Sequence, residues 1–343
     1  MTISRTASQI RGEARMTAGR TLVVGSGFVG TGIARRLAAD GKEVTLASRT
    51  PVTPPDGAGW TPLDAIDAGA CGRLLDRLRP DRVVLVHGPS DVTWCEEHPD
   101  RAAAAHTGIA AHFAAGAGGA RLVLISTDNV FDGTRADNTE DTPVRPANAY
   151  GRAKAAAERA LLEAADALVL RVSLVYGHEP ADAGKWLNFF AACAHRLVRG
   201  EPVTAPADQW TTPVLVDDVA EVTAALLDCR DPLPPVLHLG GPDRVGRAAW
   251  ASVIADALGA RPGLVVPTAR AGTRYASRPE NTCLVSTLLG RLPATRGIRV
   301  RGVQEGARLL ARDFGERDLG ERDLGERTYG EQAFGERAFG EAV

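Results

Sequence analysis

The stretch Val23-Val24-Gly25-Ser26-Gly27-Phe28-Val29-Gly30 decides the fold. A short apolar run, Leu22 to Val24, leads directly into three glycines spaced G-x-G-x-x-G, and an alanine-rich helical stretch from Gly30 to Ala39 follows. Glycines in that place let the backbone turn tightly and approach a pyrophosphate, whose charge is met by the amides that open the helix. Gly25, Ser26, Gly27, Phe28, Val29 and Gly30 are therefore the expected phosphate-binding turn for a dinucleotide.

Working outward from this turn, apolar runs alternate with helical stretches: Val44 to Ala47, Cys71 to Leu78, Val83 to Val86, Ala102 to Ala115, Leu122 to Ser126, Ala153 to Ala165 and Leu168 to Val175. The apolar runs are too continuous to have a wet face. They predict an α/β fold with a doubly wound parallel sheet of the Rossmann type, covered by helices on both sides. Ligands are then expected at the carboxyl ends of the strands.

After Gly177 the rhythm changes to a helical stretch, Trp186 to Arg199, and a proline-rich segment, Pro202 to Pro213. A smaller substrate domain is expected over residues 178–312, interleaved with the large one because the run Val236 to Leu239 reads as a strand returning to the sheet. Residues 20–177 make the nucleotide-binding domain. Residues 1–19 are polar, aperiodic and expected to be a disordered extension, with Met16 an alternative start. From 313 on, a degenerate five-residue repeat built on GERDL matches neither helix nor strand period, and is expected to be a low-complexity tail.

The composition excludes several classes of function. With 44% hydrophobic and 24% charged residues and a net charge of -2, the chain lacks the basic excess of a nucleic-acid binder. No apolar run reaches the length of a membrane span and no signal core opens the chain, so a cytoplasmic protein with a small-molecule substrate is expected. Cys71, Cys95, Cys193, Cys229 and Cys283 are scattered and read as buried apolar residues. The run Cys95-Glu96-Glu97-His98 has no second cluster to complete a metal site and reads as a solvated helix start, so no metal is expected. Lysine occurs only at Lys42, Lys154 and Lys185, against a total of 40 basic residues, so each marks a place where arginine would not serve.

Where an NAD site would carry an acid for the ribose hydroxyls, the second strand ends in Ser48-Arg49-Thr50. A guanidinium beside hydroxyls suits the 2′-phosphate of NADP, which is favoured over NAD.

The second informative cluster is Ser126-Thr127-Asp128 at a strand end, followed by Tyr150-Gly-Arg-Ala-Lys154 at a helix start. Tyr150 and Lys154, four apart, share one helical face. A ketone that accepts hydride develops oxyanion character, which a phenol can neutralise by donating its proton. A free phenol, with a pKa of about 10, needs a cation beside it to do so, and Lys154 supplies a compact one that can also reach the nicotinamide ribose. Thr127, or Ser126 in second place, would hydrogen-bond the substrate carbonyl. Tyr150 and Lys154 thus belong both to the catalytic set and to the cofactor contacts.

These segments resemble the extended short-chain dehydrogenase/reductases, and within them the dTDP-4-dehydrorhamnose reductase group. Ser126-Thr-Asp-Asn-Val-Phe-Asp-Gly133 is similar to that family's S-T-D-Y-V-F-x-G, and Asn148-Ala-Tyr-Gly-Arg-Ala-Lys154 to its N-x-Y-G-x-[ST]-K. Arg171-Val-Ser-Leu-Val-Tyr-Gly177 resembles R-x-S-W-V-Y-G, and Asn188-Phe189 the N-F that follows. Asp208-Gln209 with Thr212-Pro213, the acidic pair Asp217-Asp218, and Arg278-Pro279-x-Asn281 match later motifs. The resemblance spans residues 20 to 310. It implies Thr127, Tyr150 and Lys154 as a catalytic triad, Asp64 near the adenine, contacts from His87 and Gly88 below the cofactor, and Ser126, Asn129, Leu174, Asn188, Gln209 and Arg278 around the substrate. It also implies reduction of a 4-keto sugar carried on a nucleotide, and pairing into a homodimer.

This sequence departs from the family at three places. Asn129 stands where the family has tyrosine, Leu174 where it has tryptophan, and His87-Gly88-Pro89 where it has N-A-A; His87 reads as a structural histidine, or else as a substrate ligand or a further acid-base group. Two other functions are consistent with the same residues. One is the same chemistry on another polar metabolite such as a cyclitol or nucleoside, which Asn129 and Leu174 favour. The other is a noncatalytic NADP-binding subunit, as in the relative that regulates methionine adenosyltransferase. An epimerase that keeps its cofactor is a minor further reading.

Overall fold

A computed structural model describes residues 19–321 apart from 165, 184, 185 and 274. The expected extension up to residue 18, Lys185 and the repeats from 322 onward lie outside the described residues.

The first half of the chain runs β1 (Thr21–Val24), α1 (Phe28–Ala39), β2 (Val44–Ser48), β3 (Ala58–Pro62), α2 (Ala68–Leu78), β4 (Arg82–Leu85), α3 (Val92–Glu97), α4 (Pro99–Ala103), α5 (Ile109–Gly116), β5 (Arg121–Thr127), α6 (Ala149–Leu161) and β6 (Ala167–Val172). The second half runs β7 (Val175–Tyr176), α7 (Phe189–Val198), β8 (Val203–Pro206), β9 (Trp210–Thr211), β10 (Val214–Leu215), α8 (Val216–Asp228), β11 (Val236–Leu239), β12 (Val245–Gly246), α9 (Arg247–Ala257), β13 (Val265–Thr268), β14 (Asn281–Thr282) and α10 (Val303–Glu321).

Seven strands form one sheet in the order β11-β6-β5-β4-β1-β2-β3. Every pairing in it is parallel. This is the doubly wound arrangement, and the order reverses between β1 and β4, which opens a crevice at their carboxyl ends. The sheet is apolar on both faces because both are covered. On one side α1 and α8 pack over the strands through Ile33, Leu37, Val219 and Leu226. On the other, α2, α5 and α6 do so through Leu75, Phe113 and Leu161. A separate core, centred on Tyr176, Phe190, Trp250 and Ile254, holds α7, α9 and α10 together as the smaller unit.

Local departures from the sequence reading have physical causes. β3 was not anticipated, because Ala-Gly-Trp-Thr-Pro carries a glycine and a proline; as an edge strand paired only with β2 it tolerates both. The run Leu168 to Val175, read as one strand, breaks between β6 and β7 at Ser173, whose hydroxyl turns into a buried polar network. The stretch Ala102 to Ala115, read as one helix, is interrupted by a π-turn at Ala104–Gly108. At the far end, α10 passes the boundary drawn at 313, because Phe314 is buried against His178, Phe190 and His195. Among the described residues, no helix is long and apolar enough to cross a membrane.

Candidate active site

The glycine turn sits at the carboxyl end of β1, beside the crevice. Gly25 has φ 113°, and a Cβ there would lie 2.2 Å from the Val86 carbonyl oxygen; a Cβ on Gly30 would lie 1.9 Å from the Gly25 carbonyl oxygen. These two glycines let the turn close on itself. Gly27 is different: nothing lies within 4 Å of where its Cβ would be. It opens α1 without a side-chain cap, and the first turn carries no acidic residue. Backbone amides facing open space at a helix start are a seat for an anion, so these residues fit the pyrophosphate of a dinucleotide.

Past β2, Arg49 is exposed, while the Ser48 hydroxyl is occupied, donating to the Thr50 carbonyl (2.8 Å) and accepting from Trp60 Nε1 (2.9 Å). Of that pair, only the guanidinium reaches out for a ligand. Asp64, exposed just beyond β3, accepts from the Ile66 amide at 3.2 Å.

Tyr150 and Lys154 lie in the first turns of α6. Asn148 starts that helix, its side chain accepting from the Gly151 amide at 2.8 Å, a cap worth about 1 kcal/mol. Glu96 adds a second anchor by accepting from the Ala149 amide at 2.6 Å. Lys154 is buried and donates to the Ile125 carbonyl at 2.7 Å, which ties the helix to the end of β5. The burial pulls its pKa down to about 8, against the opposing pull of Glu158 one turn on. Burial pushes the Tyr150 phenol up instead, with the Thr127 hydroxyl facing it in the opposite sense. The phenol is thus a neutral proton donor at ordinary pH.

Thr127 ends β5 and caps the short turn Asp128–Val130, accepting from the Asn129 amide at 3.2 Å. Asn129 also reaches back with its side chain, Nδ2 to Thr127 Oγ1 (3.3 Å) and to Asp128 Oδ1 (2.9 Å), and accepts from Asn148 Nδ2 (3.1 Å). Arg278 lies close enough for its charge to act on Tyr150, and it stacks over Tyr275 at 5.3 Å. Thr127, Asn129, Tyr150, Lys154 and Arg278 are thus brought together.

Other residues named from the sequence are turned elsewhere. Ser126 donates to buried Glu158 and points into the protein. Asn188 caps α7 through the Ala191 amide and is held by Gly177 and Glu179. Gln209 is 1% exposed and spends its amide on Arg247 Nε (2.7 Å) and the Pro279 carbonyl (3.2 Å). Leu174 packs against the aromatic core of the smaller unit. In this structure the polar ends of Ser126, Asn188 and Gln209, and the apolar side chain of Leu174, are engaged by the scaffold.

His87 is buried beneath the crevice with Nε2 3.0 Å from the His106 carbonyl, and His106 places its own Nε2 3.0 Å from the Pro89 carbonyl. A carbonyl only accepts, so both rings carry their proton on Nε2. Burial, reinforced by the charge of Lys154, lowers the pKa of both, that of His87 to about 3. Gly88, with φ 86°, leaves the room that the His106 ring fills. His87 is therefore a neutral brace rather than an acid-base group.

Sequence reasoning gave no role to Asp128, Glu158 or Ser173. Glu158 was legible as the residue one turn past Lys154 on the same face. Asp128 directly follows β5 and Ser173 directly follows β6, and only the fold makes them neighbours.

Residues 19–310 match the family model described as RmlD substrate binding domain. Among curated proteins, the chain is 32% identical over 283 residues to a probable dTDP-4,6-dihydroxy-2-methyloxan-3-one 4-ketoreductase of Streptomyces antibioticus, covering 77% of this chain and 86% of that one. It is 30% identical over 251 residues to the methionine adenosyltransferase 2 subunit beta of Mus musculus, covering 69% and 74%. Among solved structures, a dTDP-4-dehydrorhamnose reductase from Bacillus anthracis in complex with NADP superposes with a TM-score of 0.72 over 86% of this chain and 98% of that one. At 21% identity, that likeness concerns the fold.

Proposed function

Because the chain belongs to the RmlD substrate binding domain family, we propose that it is an NADPH-dependent reductase of a keto group on a nucleotide-linked sugar of the 4-keto-deoxysugar type. One observation carries this reading. Lys154 is bound to the Ile125 carbonyl, directly before Ser126-Thr127, and holds Tyr150 beside Thr127 at the carboxyl edge that also bears the glycine turn. The ketoreductase relative from Streptomyces supports the substrate class.

When bound, NADPH supplies the hydride that the carbonyl carbon accepts. Tyr150 gives its proton to the oxygen as negative charge develops there. Lys154, an ammonium in dry surroundings, steadies the resulting phenolate. Thr127 orients the carbonyl, and Arg49 takes the 2′-phosphate that distinguishes NADPH from NADH. The cytoplasm as the compartment, where NADPH is regenerated, and pairing of two copies are part of the same proposal.

The test is consumption of NADPH with dTDP-4-keto-6-deoxyglucose, followed by cofactor fluorescence. Tyr150→Phe should abolish consumption while leaving NADPH binding in place, and Arg49→Ala should weaken NADPH tenfold or more with little effect on NADH, the loss of about 1.5 kcal/mol expected for a charge-assisted hydrogen bond. No consumption by the wild type with this or related sugar nucleotides overturns the reading. The beta-subunit relative favours a second one, a regulatory subunit; NADP binding without turnover of any ketone, with co-purification of an enzyme, would establish that one instead.

A further inference from the structure

We propose that Asp128 is a positioning residue: by holding or releasing the hydroxyl proton of Thr127, it decides whether Thr127 can donate a hydrogen bond to a substrate carbonyl. The proposal rests on the reductase reading above and concerns a residue that the reading leaves idle.

Counting hydrogens leads to it. A threonine hydroxyl has one proton and two lone pairs. Two donors, the amide and the side-chain Nδ2 of Asn129, are directed at Thr127 Oγ1 at 3.2 and 3.3 Å. Its own proton is directed at Asp128 Oδ1, 3.2 Å away, in competition with the Tyr150 phenol, which also hydrogen-bonds Thr127. A proton committed there is not available to a ketone. Asp128 is 4% exposed, and its other oxygen accepts from Ser173 Oγ at 2.9 Å. Ser173 in turn meets Thr211 Oγ1 at 2.9 Å and the Thr282 carbonyl at 3.3 Å. The carboxyl is therefore held by Thr127 at the end of β5, Asn129 in the turn after it, Ser173 just past β6 and Thr282 of β14, with Thr211 of β9 behind Ser173.

The groups facing it that carry charge or titrate are Tyr150 from α6 and Cys283 from the segment after β14, and Arg278 and Arg244 act on those two in turn. The strongest influences on Asp128 are its burial and four hydrogen bonds. Burial raises its pKa to about 6, opposed by the hydrogen bonds from Ser173, Thr282, Thr127 and Asn129.

The two protonation states differ in what they do to Thr127. As a carboxylate, Asp128 claims the Thr127 proton through a charge-assisted bond, roughly twice as strong as a neutral one. As a neutral acid it offers Thr127 only a weak carbonyl acceptor at Oδ1, and the Thr127 proton can then turn to the substrate. A ketone needs that donor, whereas an alcohol substrate brings its own proton. Neutral Asp128 therefore serves reduction, and ionised Asp128 serves the reverse reaction.

The experiment is kcat/KM for NADPH-dependent reduction of dTDP-4-keto-6-deoxyglucose between roughly pH 5 and 8. In the wild type, kcat/KM should fall by about tenfold per unit above pH 6. Asp128→Asn cannot ionise and presents only a neutral carbonyl to Thr127, so the fall near pH 6 should vanish. An Asp128→Asn enzyme that keeps the wild-type profile overturns the proposal. An infrared titration of the protein alone separates this outcome from failure of the reductase reading. A protonated-carboxyl C=O band should titrate near pH 6 in the wild type and persist to higher pH in Thr127→Val, where the carboxylate has lost a donor. A band that is absent, or that Thr127→Val leaves unmoved, overturns the proposal whether or not any sugar nucleotide is turned over and whether or not Asp128→Asn folds.

Discussion

Glu158 lies one helical turn beyond Lys154 and forms an ion pair with Arg171, Oε2 to Nη2 at 2.8 Å, in which each side chain is only 5% exposed. Arg171 Nε reaches the other carboxylate oxygen at 3.0 Å, and Ser126 donates to that same oxygen. The carboxylate is thus fully satisfied, and it ties α6 to β6 directly behind the residues proposed for chemistry.

Removing one partner of such a pair leaves a charge buried without compensation. Glu158→Gln should lower stability by about 3 kcal/mol, read as a lower urea midpoint at unchanged slope. Replacing both partners together with apolar residues of similar size should recover most of that loss. A single-variant loss below about 1 kcal/mol would mean that water reaches the pair.

Gly30→Ala and Gly27→Ala should separate folding from cofactor binding. A methyl at Gly30 meets the Gly25 carbonyl, so this variant should unfold at distinctly lower temperature. Gly27 has an extended backbone, φ -72° and ψ -174°, and open space beside it, so alanine there should keep the melting temperature within a few degrees. It should nevertheless weaken NADPH at least tenfold in a fluorescence titration, because the methyl stands where the pyrophosphate would lie. Unchanged NADPH affinity in Gly27→Ala would remove the turn from the binding site.

Lys154 makes stability depend on pH in a stated direction. Its folded-state pKa, about 8, lies below the ordinary value of 10.5. Between these values the unfolded chain binds more protons than the folded one, so the contribution of Lys154 to stability rises with pH from about 8 toward 10. Below pH 8 the full cost of burying the ammonium is present. Denaturant titrations across this window should give a positive slope that Lys154→Met removes. An equal slope in that variant would mean that the ammonium is not desolvated.

The nucleotide-binding half was legible in the sequence because its signals are local. A glycine turn needs only neighbouring residues, and the apolar runs Leu22 to Val24, Val83 to Leu85 and Leu122 to Ile125 in β1, β4 and β5 are unbroken because two layers cover them. Tyr150 and Lys154 were legible for the same reason, being one turn apart on one helix. What escaped were relationships between distant residues. Ser126 and Gln209 look like substrate contacts by position, yet the fold gives their polar groups to Glu158 and Arg247. Asp128 meets Ser173 only because β5 and β6 pair in register, Thr127 opposite Val172. Edge strand β3 carries too weak a propensity to be seen without β2 beside it.

The polypeptide passes between the two hydrophobic cores near Gly177, near Pro213, near Gly240, again before Leu289 and once more before Val303, since Val214, Val219, Leu239 and Leu289 belong to the sheet's core while Tyr176, Leu215, Trp250 and Val303 belong to the other. A body stitched on by several separated threads cannot swivel freely, as it could on a single tether. Any closing of the cleft is then a bend across this seam, and cutting out the smaller body as one piece would strip the outermost strand from the larger.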